Sequence, residues 1–262
     1  MRHIVVSAFV FTCTVALSTN AFAQDADKRS NAQTTPSLGY VVEAGLSSTK
    51  LVHGAPKYDT KSTPATEDLV AVRLKDVGPG TLQLGSSFAM ALGDTTKKYE
   101  KAEEVLPSVT YGGKMSVMLL EVGARVWFYP RMAQVRQDVE GTARLSIPNG
   151  FLTPTLDLFP CFLEKQGLYG VVGAEHLFKL GSRFHVRPRA QVGAQGYDAK
   201  SERFHAQEVS VSSAVTALFG EGFYAAIRPS YTTLVSPSHY LADASFGGRS
   251  VAYVGFAVGA QR

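Results

Sequence analysis

The sequence predicts an all-β chain: a transmembrane antiparallel up-and-down β-barrel of about twelve strands. Three observations predict it. Apolar and polar residues alternate at period two along most of the chain beyond Ser37, glycine- and proline-bearing short turns alternate with mostly longer polar connections, and aromatic residues gather near the ends of the alternating segments. The composition agrees. Of 262 residues, 45% are hydrophobic and 18% charged, which is too apolar for a disordered chain and enough to build a large fold.

The chain opens with an address. Met1–Ala23 carries a cationic start (Arg2, His3), an apolar run from Ile4 to Leu17, and the small residues Ala21 and Ala23 where a signal peptidase cuts. The run is too short for a helix across a ~30 Å bilayer, which takes roughly 20 residues. It reads as a cleavable secretory signal, followed by a polar, disordered segment 24–37 and a barrel over 38–262. No later stretch is apolar enough for a membrane helix, so any membrane is entered as a barrel. Removal of Cys13 with the signal leaves Cys161 alone, so no intrachain disulfide is expected. Without CxxC or a Cys/His cluster, no metal or other cofactor is expected either. The net charge of +4 is not gathered into a Lys/Arg stripe, which argues against nucleic acid.

Strands are expected near 39–51, 68–76, 81–93, 104–111, 115–129, 139–147, 151–163, 168–180, 183–197, 208–219, 223–235 and 250–260. The clearest is 183–197. There Phe184, Val186, Pro188, Ala190, Val192 and Ala194 oppose His185, Arg187, Arg189, Gln191, Gly193 and Gln195. Met118, Leu120, Val122, Ala124, Val126 and Phe128 likewise oppose Glu121, Gly123, Arg125 and Trp127. Val209, Val211, Val215, Ala217 and Phe219 oppose Ser210, Ser212 and Thr216, while Phe223, Ala225, Ile227 and Tyr231 oppose Arg228, Ser230 and Thr232. Short turns are expected at 77–80, 112–114, 148–150, 181–182 and 220–222, and longer loops near 52–67, 94–103, 130–138, 198–207 and 236–249. The connection 164–167 breaks this rhythm by being short. An even strand number returns both ends of the barrel to the periplasm, as export requires. Pro107, Pro154, Pro160, Pro188 and Pro229 fall inside these strands, where each removes a ladder donor.

Alternation alone does not say which face looks inward. A soluble barrel hides its apolar face; a membrane barrel turns it to lipid. Strand lengths suited to a tilted crossing, polar faces of Arg, Gln and Ser beside Gly, and the aromatics Tyr40, Phe128, Tyr129, Phe151, Tyr169, Phe184, Phe219, Phe223 and Tyr231 near strand ends favour the membrane. The lumen then receives Arg73, Arg125, Arg144, Arg187, Arg189 and Arg228 with Glu43, Glu121, Asp157, Glu175 and Glu208, because charge on the lipid face costs roughly 2–4 kcal/mol near mid-membrane. Gln191 faces the same side. The two signs nearly balance. Arg187, Arg189 and Arg228 could form a cationic arc favouring anions; alternatively, Glu175 pairs with Arg187 or Arg189 across the 181–182 turn, neutralising charge and plugging the bore.

Catalysis is the competing class, since barrels of this size include lipid hydrolases. No GxSxG occurs, and His176, the histidine placed mid-strand toward lipid, has no evident acidic partner, so no catalytic residue is assigned. His53, His205 and His239 fall in expected loops.

Gly150-Phe151-Leu152-Thr153-Pro154-Thr155-Leu156-Asp157 followed by Gly167-Leu168-Tyr169, together with the first strand running from Tyr40 to Gly54, resembles a family of small porin-type β-barrels of Gram-negative outer membranes, whose substrates are largely undefined. The resemblance implies an outer-membrane pore and supplies no catalytic residues. The reading is therefore a narrow passive diffusion channel in the cell outer membrane, with membrane lipids and small hydrophilic solutes as partners. The alternative is a plugged barrel with a structural, adhesive or lipid-modifying role.

Overall fold

The computed structural model describes residues 37–52, 55–56, 63–93, 103–130, 138–162, 167–196, 205–220, 222–235 and 250–262. The expected signal segment and residues 24–36 lie outside these; Ser37, expected in the polar segment, opens the first strand instead.

The strands are β1 (Ser37–Ser47), β2 (Ala65–Val77), β3 (Gly80–Ala91), β4 (Glu103–Met115), β5 (Met118–Trp127), β6 (Asp138–Ser146), β7 (Thr153–Cys161), β8 (Gly167–Glu175, resuming at Phe178–Leu180), β9 (Phe184–Gly196), β10 (His205–Leu218), β11 (Phe223–Leu234) and β12 (Ser250–Gln261). Every strand pairs antiparallel with its neighbours in the chain, and β12 pairs with β1, so the sheet closes as a twelve-stranded up-and-down barrel. Closure runs from Val41 opposite Gln261 to Ser47 opposite Gly255, finished by paired bonds between Tyr40 and Arg262 (3.2 and 3.0 Å). A closed ladder leaves no edge, the condition for β structure in hydrocarbon. A separate two-residue ladder joins Leu51–Val52 to Ala55–Pro56.

Period two decides the faces, and the outside is apolar. Val42, Val70, Val72, Leu84, Val122, Val172, Val192, Val211, Ile227 and Val258 stand exposed on it, Val172 at 64% and Val258 at 61%. The residues between them are buried and largely charged: Glu43, Arg73, Glu121, Arg144, Asp157, Glu175, Arg187 and Glu208. This inverts a soluble protein and fits lipid outside. Aromatics rim the end carrying the short turns, with Phe151 84% exposed and Phe219, Phe223 and Phe184 also outward. Tyr169 departs from that expectation. It sits on the inner face, buried, because Gly170 and Val172, not Tyr169, share the outward parity of β8.

The short turns gather at the end where β1 begins and β12 finishes. Gly78 (φ 58°), Gly181 (φ 70°) and the pair Gly220 (φ 74°) and Gly222 (φ 87°) adopt left-handed backbone there, at the expected turns. Asn149 accepts from the amides of Phe151 (2.9 Å) and Leu152 (2.6 Å), holding the β6–β7 connection. One turn is displaced: Gly112-Gly113 lie within β4, and the chain reverses at Ser116-Val117. Gly113 serves close approach, since a Cβ there would press on Pro79 and Gly80 of the adjacent turn.

Four of the five strand prolines mark an interruption of one ladder, and Pro154 marks the end of one. Pro160 faces a gap in β6–β7 between Glu140↔Cys161 and Ala143↔Leu158, and Pro229 a gap in β10–β11 between Ser212↔Ser230 and Val215↔Ile227. The β4–β5 ladder ends at Ser108, next to Pro107, and resumes only as a Val105↔Phe128 bridge. Pro188 faces the break in β8, where its carbonyl accepts from His176 N (3.2 Å). Pro154 accepts from Ile147 N where β6 ends.

Candidate functional site: the inner wall

The inner wall is built by strand parity, and the structure places all the expected residues on it: Arg73 (β2), Glu121 and Arg125 (β5), Arg144 (β6), Asp157 (β7), Glu175 (β8), Arg187, Arg189 and Gln191 (β9) and Arg228 (β11). They fall into separate groups.

On the β11–β12–β1 side, Arg228 grips Glu43 with both terminal nitrogens (2.7 and 2.6 Å), and Tyr224 donates to the same carboxylate at 2.6 Å. Tyr224 and Glu43 lie in register on either side of Gly259. A Cβ on Gly259 would stand 2.6 Å from the Tyr224 ring, so the bare backbone of β12 is what allows the phenol to cross. The same device recurs on the other side. Tyr169 of β8 crosses the bare Gly193 of β9 and hydrogen-bonds Glu208 of β10, which also accepts from Gln191 Nε2 at 3.3 Å.

Between β6 and β9 lies the densest charge cluster. Arg144 donates to Glu175 (3.1 Å) and stands 3.5 Å from Asp157; Arg189 donates to Asp157 (2.6 Å) and stands 3.6 Å from Glu175; Arg187 stands 3.9 Å from Glu175. Arg125 donates to Glu140 (2.7 Å) and lies over the Trp127 and Phe159 rings, at 5.2 and 5.5 Å. The Cys161 thiol, which is in no disulfide, donates to Glu140 at 3.7 Å. Arg73 donates to Gln83 at 2.8 Å. An open cleft lies along β3–β7, bordered by Gln83, Thr110, Glu121, Arg125, Arg144 and Phe159.

The expected three-arginine arc is thus divided. Arg228 belongs to Glu43, whereas Arg187 and Arg189 join Glu175 and Asp157, the pairing weighed as its rival. The sequence reading missed Glu140 and Glu104. It also missed Lys50, which is fully buried just past β1 and ion-paired with Glu104 on the inner face of β4. Glu140 carried a findable signal, since it shares the parity of Arg144. The Lys50–Glu104 pair had none, because it joins positions 54 apart across three strands.

Toward lipid, His176 lies edge-on to Phe178 (centroids 4.3 Å) and 6.4 Å from Phe151. Among the described residues these aromatic contacts define its surroundings. No group of potential metal ligands occurs among those residues. Of the other histidines, His53 and His239 lie outside the described residues, and His205 begins β10.

Protein-family models and curated proteins give no match to this chain. Among solved structures it is similar to the KdgM porin in complex with disordered oligogalacturonate (TM-score 0.48, 9% identity, 85% of this chain and 97% of that one). It is similar to an outer-membrane channel from Pseudomonas putida F1 (TM-score 0.48, 10% identity, 88% and 97%). A third is OmpF of Salmonella typhi in complex with daunomycin (TM-score 0.41, 5% identity, 89% and 99%).

Proposed function

We propose that the protein is a narrow passive diffusion channel of the Gram-negative outer membrane, admitting small hydrophilic solutes and ions and performing no catalysis. The observation that supports this is the inversion itself: a closed barrel with valine, leucine and aromatic side chains outward and arginine and carboxylate side chains inward. Arg73, Glu121, Arg125, Arg144, Asp157, Glu175, Arg187, Arg189, Gln191 and Arg228 line the path. Paired charges of both signs favour hydrated ions of either sign, so selectivity in the parent is weak. Those pairs also narrow the bore. The test is a planar bilayer holding the purified full chain under a KCl gradient. Discrete conductance steps are expected, and Arg187→Glu with Arg189→Glu should move the reversal potential toward cations. Absence of any current overturns the reading.

A further inference from the structure

Among the described residues, the cluster between β6 and β9 holds the largest share of the buried polar atoms without hydrogen-bond partners. Within it, Nε of Arg144, Nε of Arg189 and Oγ1 of Thr155 have no hydrogen-bond partner among the described residues, while Nη1 of Arg144 and Oδ1 of Asp157 face each other at 3.5 Å without forming one. Arg144, Asp157 and Thr155 are each over nine-tenths buried. Half of the orphaned polar atoms of the described chain fall in this patch, and Arg144 and Asp157 border the open cleft. Buried polar atoms without partners are costly, so such a concentration marks a place completed by something else. Three guanidinium groups (Arg144, Arg187, Arg189) here surround two carboxylates, Asp157 and Glu175, while neighbouring Glu208 is engaged by Tyr169 and Gln191.

We propose that this patch is a binding station for small hydroxycarboxylates. The carboxylate of the solute accepts from Arg144 and Arg189, the charge-assisted geometry guanidinium favours. A neighbouring hydroxyl donates to Asp157 Oδ1 and accepts from the Thr155 hydroxyl. A plain anion satisfies only the arginines, and a neutral polyol only the other two. The station rests on the channel reading solely for the solute's route in.

Titration calorimetry of the detergent-folded full chain tests this with gluconate as probe, acetate as the anion without hydroxyls and sorbitol as the polyol without charge. Gluconate should bind roughly tenfold or more tighter than either control, and Arg144→Gln should weaken it by at least about tenfold. Thr155→Val, the milder change, should weaken gluconate severalfold and leave acetate unaltered. Folding of each variant is checked by heat-modifiable gel migration, and if Arg144→Gln fails to fold, Thr155→Val decides. Gluconate binding no tighter than acetate, or unmoved by the foldable variant, overturns the station. Bilayer conductance on the same preparation keeps the two readings apart: no current with intact gluconate binding removes the channel and leaves the station, and the converse removes only the station.

Discussion

At the scale of single residues, the inner wall depends on what β9 and β12 lack as much as on what their neighbours carry. Gly259→Val would place side-chain atoms where the Tyr224 ring lies, breaking the bond to Glu43. The expected loss is about 1–3 kcal/mol. Urea unfolding in lipid vesicles reads it, followed by the fluorescence of Trp127, the single tryptophan of the chain. Glu43→Ala should cost more, about 3–5 kcal/mol, because it removes the buried carboxylate that accepts from both the Arg228 guanidinium and the Tyr224 phenol. Adding Arg228→Met should recover part of that loss in a double-mutant cycle. Parity was enough to put Glu43, Glu208 and the arginines indoors from sequence alone. The tyrosine–glycine–glutamate crossings were not legible, because Tyr224 and Glu43 are 181 positions apart and nothing local marks them as neighbours.

At the scale of elements, alternation made the strands legible nearly throughout, and glycine or asparagine chemistry made most of the turns so. It failed at Gly112-Gly113, which lie within β4 and where Gly113 reports the narrow space beside Pro79 and Gly80. The prolines were legible as missing ladder donors, but which ladder each would interrupt was not, since that depends on which neighbour the missing N–H would have faced. At Pro229 that neighbour is β10, because the β11–β12 register continues unbroken past it. Pro229→Ala should therefore slow amide exchange across Ser212–Val215. Net stability should stay within about 1 kcal/mol of the parent, the hydrogen bond gained being offset by greater freedom of the unfolded chain. Gly222→Ala should be severe. Its φ of 87° is hostile to a side chain, and the added Cβ would collide with the Gln261 carbonyl. Loss of the heat-resistant gel form is the readout.

For the whole molecule, the sequence held the architecture but not the partition of its charges. Balanced signs were countable; that Arg228 would leave Arg187 and Arg189 for Glu43 was set by how twelve strands curl round. The outer belt makes a quantitative demand of its own. Val172→Arg, on the opposite face of the wall from the paired charges, should reduce folding stability by roughly 2–4 kcal/mol in vesicles if that face meets acyl chains, and much less in a detergent of short chain. The seam between β1 and β12 carries a consequence for biogenesis. Like the last stave of a cask, Ser250–Gln261 is needed before any hoop can hold: until it arrives, Tyr40 lacks Arg262 and both margins of the sheet expose bare amides to oil. A nascent chain lacking those residues has no stable halfway shape in the bilayer. Stable insertion is therefore expected to coincide with closure of the first strand onto the last.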